Sequence, residues 1–327
     1  MQESIGGYFE LEGTGNGGTF PQAHGIMLNT GRNAFEYILA SIGKVKLVYV
    51  PYYTCEVVLE PLRKLDITYS FYHINRNLEI AEDISLQENE YLLYTNYFGI
   101  KDAYVRKLAS HYKERLIVDC AQALYSEHIG GVNTFYSPRK FVGIPDGGVA
   151  YVDGGINPSN YDVDKSEDRM SHLYLRLEKG AQAGYADFRN NAHKLIGLPI
   201  LNISFKTQEL IGLIDFDTIR KRRFKNFKHL HETLVSTNGL GNLLTRSIVD
   251  SCSCPMVYPY LTTDCNLKSR LIKEQIFVAT YWPNVLNWTK PDMIEYEFTK
   301  NLLAIPCDQR YGEEDMNRII QLICKYQ

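Results

Sequence analysis

Apolar positions along the chain fall into short β-forming runs separated by segments with helical spacing. Residues 46–50, 67–74, 91–99, 116–119 and 149–153 are rich in Val, Ile, Leu and Tyr and predict strands, the third running on into a loop. Within residues 27–39, Asn29 or Thr30 can cap a helix with Ala34, Tyr37 and Ile38 on its buried face. Val57, Val58, Leu59 and Leu62 mark a second helix, and residues 102–111 a third. Alternation of this kind predicts βαβ crossovers and a mainly parallel sheet. Beyond a polar stretch at 154–171, residues 172–219 read as mostly helical, with a break at 195–199. Residues 214–234 then form one long helix. Strand-like runs at 256–261, 276–281 and 302–306, with helices at 267–273 and from Glu313 onward, predict a smaller α/β unit. The chain therefore divides into a large α/β domain over 1–213 and a linking helix with a small α/β domain over 214–327. The glycine-rich start, including Gly13-Thr14-Gly15-Asn16-Gly17-Gly18, lacks periodicity and predicts a flexible arm over residues 1–25.

Composition narrows the function classes. The 327 residues carry a net charge of −3, which gives no reason to expect a nucleic-acid or membrane partner. The basic run Arg220-Lys221-Arg222-Arg223 sits on the long helix without interleaved stacking aromatics, so it does not read as a nucleic-acid patch. Seven cysteines are scattered, and Cys252-x-Cys254 has no second pair, so no metal site is expected. The start Met1-Gln2-Glu3-Ser4 has neither a basic region nor an apolar core, and no apolar run approaches a membrane span. A cytoplasmic protein with reduced thiols is expected.

The chemistry concentrates between Leu116 and Gly148. An apolar run ends in Asp119, followed by Cys120-Ala121-Gln122-Ala123. A glycine turn, an aromatic pair at Phe135-Tyr136 and Lys140 come next, and the stretch closes on Asp146-Gly147-Gly148 before a new strand. An acid at the carboxyl end of a buried strand lies where open α/β sheets bind ligands. A lysine between two strands, near glycines, is oddly placed for a solvated charge. The pair fits a pyridoxal 5'-phosphate (PLP) site, which needs an amine for the aldehyde and a carboxylate for the ring nitrogen.

Asp119-x-Ala121-Gln122, Lys140 and Asp146-Gly147-Gly148 together resemble the DegT/StrS family of PLP-dependent sugar aminotransferases, and the likeness extends over most of the chain. The resemblance implies the PLP-dependent transferase fold type I. It implies that Lys140 carries the cofactor, that Asp119 pairs with its ring nitrogen, and that Gln122 lies near the ring oxygen or the substrate. Thr30-Gly31-Arg32-Asn33 resembles the family's phosphate-holding turn at a helix N-terminus, a suitable anion site. The family's serine five residues before the lysine is here Phe135, with Ser137 nearby. Its ring-stacking aromatic is Cys55, which leaves Tyr53 or Tyr52 to cover the ring unless Cys55 does. Asn202 matches an asparagine that reaches the neighbouring subunit's phosphate, although a helix cap would also explain it, and the arginine two residues on is lost to Ser204. Asn96 and Tyr97, in Asn96-Tyr97-Phe98-Gly99, and Tyr281-Trp282 match loops that face cofactor or substrate.

By that resemblance the protein is expected to move an amino group from an amino acid such as glutamate to a nucleotide-linked keto sugar, in surface polysaccharide or lipopolysaccharide assembly. A homodimer with sites at the interface is expected. Two alternatives stay open: a catalytically degenerate relative that binds a nucleotide sugar or a protein partner, and a PLP-dependent sugar dehydratase, against which Lys140 argues because that branch carries histidine.

Overall fold

The computed structural model describes residues 3–13, 15, 17–250 and 254–326. Thr14 and Asn16 of the glycine run, Cys252 of the Cys-x-Cys pair and the N-terminal Met1 and Gln2 lie outside the described residues. The strands are β1 (Ile5–Gly6), β2 (Ile26–Leu28), β3 (Leu47–Pro51), β4 (Thr68–Tyr72), β5 (Glu90–Thr95), β6 (Leu116–Cys120), β7 (Asn133–Tyr136), β8 (Gly148–Tyr151), β9 (Tyr258–Leu261), β10 (Ile276–Phe277) and β11 (Leu302–Ile305). The helices are α1 (Gly31–Ile42), α2 (Leu59–Lys64), α3 (Asp102–Tyr112), α4 (Ser171–Lys179), α5 (Tyr185–His193), α6 (Phe205–Leu213), α7 (Phe216–Leu234), α8 (Gly241–Asp250), α9 (Leu267–Lys273), α10 (Val285–Trp288), α11 (Ile294–Asn301) and α12 (Glu313–Tyr326).

Seven strands form the main sheet in the order β2-β8-β7-β6-β5-β3-β4. β7, β6, β5, β3 and β4 run parallel, and β8 alone runs against its neighbours β7 and β2. Side chains alternate between the faces. Val48, Val50, Leu93, Ile117, Phe135 and Ala150 pack with Phe35 and Ile38 of α1 and Leu59 and Leu62 of α2. Leu92, Tyr94, Leu116, Val118 and Tyr136 join the opposite cluster, which continues without a break into Phe227, Tyr258, Phe298 and Ile305. The segment from α7 to α12 is thus packed against the back of the sheet through shared apolar core. It carries its own antiparallel pair, β9 with β11. No helix among the described residues is long and apolar enough to cross a membrane.

Two expectations change. The helical region after Ser171 is three short helices, α4, α5 and α6, with the break near Pro199 as expected. The glycine-rich start is seated rather than free where it is described. Ile5 and Gly6 pair in parallel with Ile276 and Phe277, which leaves β10 only two residues long. Arg310 binds the Tyr8 carbonyl, Arg176 binds Glu10, and Gly15 N–H bonds Leu213 O. Side chains far along the sequence hold this segment, so no local periodicity could announce it.

The seating depends on Gly143. Glu12 N–H donates to Gly143 O, and a Cβ on Gly143 would overlap Glu10 O. Gly143→Ala is expected to lower stability by about 1–3 kcal/mol, to lower the melting temperature and to speed proteolysis within residues 8–13. Gly212→Ala, in α6 with open space around it, should instead raise the melting temperature slightly.

Candidate cofactor-binding site

Asp119 ends the apolar run of β6, and two-residue periodicity sends its side chain to the α1 side of the sheet, as for Ile117. Its register neighbours are Thr95 on β5 and Phe135 on β7. The carboxylate is buried and accepts a hydrogen bond from Ala121 N–H at 2.8 Å. Burial pushes its pKa up, and the Lys140 charge and that amide pull the other way. Lys140 sits in the single helical turn Pro138–Lys140 that follows β7, so β6 and β7 deliver the acid and the amine to one end of the sheet.

The N-terminus of α1 reaches the same end. Thr30 caps it, its hydroxyl oxygen accepting from Asn33 N–H at 3.1 Å. Gly147 N–H donates to Asn29 O at 2.6 Å, and a Cβ on Gly148 would overlap Thr30 O. The glycine pair is therefore what lets α1 begin flush against β8. Asp146 anchors the pair: it accepts from Ser204 N–H at 2.8 Å, from Ser204 Oγ at 2.7 Å and from the Thr207 hydroxyl, at the start of α6. A Cβ on Gly31 would lie 3.1 Å from Ser137 Cβ, so Ser137 lines the first turn of α1. Phe135, at the position where a phosphate-touching serine is absent, stacks instead on Phe35, with ring centroids 5.1 Å apart.

Tyr53 OH, Thr54 Oγ1, Thr95 Oγ1 and Gln122 Nε2 are among the buried side-chain polar atoms that have no partner among the described residues. They belong to the segments that end or follow β3, β5 and β6, three adjacent strands. Gln122 is half satisfied, its Oε1 accepting from Phe98 N–H at 2.9 Å. Buried donors and acceptors of this kind are normally paired. A polar ligand that accepts from Gln122 and bonds to the threonines would satisfy them, so these residues fit PLP.

The remaining expected residues divide. Tyr53 is buried edge-to-face against Trp282, with centroids 5.1 Å apart, whereas Tyr52 stacks on Phe71 and His73. Cys55 is half-buried beside Tyr281, whose pKa burial pushes up to about 12. Asn284 Nδ2 ties this loop to Thr54 O at 2.9 Å, so Tyr281 and Trp282 do meet the turn of Tyr53 and Cys55. Tyr97 donates its hydroxyl to Tyr53 O at 3.0 Å. Four side chains are engaged elsewhere. Arg32 pairs with Glu60, and Asn33 Nδ2 donates to Leu198 O at 2.9 Å. Asn202 donates to Pro158 O and Tyr161 O, while Ser204, not Asn202, caps α6. Asn96 donates to Asp102 and Ser126, next to a separate cavity of about 430 Å³ on the opposite face of the sheet. Thr95 and Thr54 were not singled out from sequence. A threonine at the polar end of an apolar run, one strand from the acid, was the available signal.

No family model matches the chain, and no curated protein does. Solved structures do. DesV of S. venezuelae, solved with a ketimine intermediate, superposes with a TM-score of 0.63 at 16% identity, over 93% of this chain and 85% of that one. DesI, solved in the presence of its TDP-sugar product, gives 0.59 at 15% identity over 93% and 80%. A DegT DnrJ EryC1 StrS aminotransferase from Brucella abortus gives 0.60 at 14% identity over 94% and 87%. The chain has the PLP-dependent transferase fold type I, α/β with a mainly parallel sheet.

Because burial raises the Asp119 pKa, the favourable contribution of its neutral form is present below the unfolded value near 4 and is lost as pH rises through the folded value. Cofactor-free Asp119→Asn should therefore melt at a higher temperature than the unmodified protein at pH 7. The gap should close towards pH 4. Equal melting at both pH values would contradict this.

Proposed function

We propose that this protein is a PLP-dependent aminotransferase that acts on a nucleotide-linked keto sugar, with an amino acid, glutamate by preference, as donor. The observation that carries the reading is the convergence of a buried Asp119, the Lys140 turn, the α1 N-terminus and an unpartnered Gln122 Nε2 at one end of the sheet. Its likeness in fold to a DegT-type aminotransferase and to a protein solved with a TDP-sugar product supports the reaction class and the substrate class.

In this reading Lys140 would hold the cofactor aldehyde, Gln122 would bind the ring oxygen, and the α1 N-terminus with Ser137 would hold the phosphate. Bound there, PLP would supply an electron sink for the bonding pair of the donor's Cα–H bond. Asp119, kept from water, would hold the ring nitrogen protonated, its own carboxylate being stabilised by that charge. The Lys140 amine, when not bound to the aldehyde, would be the positioned general base that takes and redelivers the donor's Cα proton. Tyr53 and Trp282 keep water from this end of the sheet. The domain division at residue 213, a homodimer with sites at its interface, and a cytoplasmic role in surface polysaccharide or lipopolysaccharide assembly belong to the same proposal.

A second reading has an observation behind it. Arg32, Asn33 and Asn202 bond within their own chain, and Cys55 stands where the resemblance expects a ring-stacking aromatic, which favours a relative that binds a nucleotide sugar without turnover. Visible absorption of the protein with PLP, before and after glutamate, separates the two. The aminotransferase reading predicts a band that glutamate bleaches with release of 2-oxoglutarate, and a rate lowered more than about a hundredfold in Lys140→Ala. A band unchanged by any amino acid would favour the binding role.

A further inference from the structure

The turn that carries Lys140 also carries Arg139, to which neither the sequence reading nor the mechanism assigns a task. Its Nε is buried with no hydrogen-bond partner among the described residues. Two other guanidiniums, Arg32 and Arg169, lie close enough to act on its charge. Each of those two is answered by a carboxylate: Arg32 by Glu60, and Arg169 by Asp164 at 2.5 Å. The carboxylate that stabilises the Arg139 charge is Asp146, and its oxygens are already engaged by Ser204 and Thr207. His172 adds no negative charge; burial first, and Arg139 second, pull its pKa down to about 4. Burial and the two neighbouring guanidiniums pull Arg139 itself down to about 10. Arg139 thus has an opposite charge nearby, but no acceptor among the described residues meets its buried Nε–H.

A buried guanidinium N–H without an acceptor is unfavourable, and a planar guanidinium is matched best by a phosphate or carboxylate. Two residues before Arg139, Ser137 packs on Gly31 at the first turn of α1, whose amides also favour an anion. We propose that Arg139 is a cofactor-binding residue whose guanidinium pairs with the PLP phosphate from within the same chain, beside the α1 N-terminus. This assignment rests on the PLP reading. It puts a fixed cation next to the residue that carries the aldehyde, so the turn Ser137–Lys140 grips the cofactor at both of its ends.

The test compares PLP with pyridoxal, which keeps the aldehyde and lacks the phosphate. Binding of each is followed by visible absorption in the unmodified protein, Arg139→Gln and Arg139→Lys. The expected result is PLP affinity lowered about 10- to 100-fold in Arg139→Gln, less in Arg139→Lys, and pyridoxal affinity unchanged in both. Inorganic phosphate alone should raise the melting temperature of the cofactor-free protein and lose that effect in Arg139→Gln. Undiminished PLP affinity in Arg139→Gln, or an equal loss for PLP and pyridoxal, would overturn the assignment and leave the PLP reading intact. An unmodified protein that takes up neither compound would overturn both. If Arg139→Gln does not fold, the Arg139→Lys comparison decides by the same criterion.

Discussion

A carboxylate held away from water needs a cation or a hydrogen-bonded acid form, and Asp119 is the group on which the rest of this site depends. It has one amide, from Ala121, and the charge of Lys140 to offset its burial. The strand that carries it is flanked on both sides by parallel neighbours, so neither it nor its register partners Thr95 and Phe135 can shift without breaking the sheet. A residue so placed is costly in an empty protein. It becomes favourable when a protonated ring nitrogen faces it, which is why the buried acid, more than the lysine, argues for a cofactor.

The second constraint is steric. α1 can begin beside the Asp119 strand end only because Gly147 and Gly148 let Thr30 and Gly31 lie against β8. Asp146 then fastens that turn to α6 through Ser204 and Thr207. One short segment, from Ser137 to Gly148, therefore supplies the amine, a guanidinium and the close contact that seats a helix N-terminus. β8 runs against β7, which brings the chain back across the mouth of the sheet and makes this economy of sequence feasible.

The sheet was legible because its strands are apolar runs separated by helices of matching polarity, a pattern that local chemistry alone determines. Asp119 and Lys140 stood out as charges among apolar and glycine-rich neighbours, and Gln122 through the resemblance of Asp119-x-Ala121-Gln122 to the family's motif. What sequence could not give were facts settled by distant partners. The seating of the N-terminal arm depends on Arg176, Arg310 and Gly143, well over a hundred residues away. Arg32 and Asn202 look available in sequence, yet Glu60 and the carbonyls of Pro158 and Tyr161 engage them. Arg139 and Thr95 had the opposite fate: each looked ordinary, and only their missing partners mark them.

The central claim is that Lys140 is the residue that receives the cofactor. Borohydride reduction of the protein incubated with PLP, followed by proteolysis and peptide mass mapping, tests it directly. The account predicts one stable pyridoxyl adduct, on Lys140. An adduct spread over exposed lysines, or confined to a lysine other than Lys140, would contradict it.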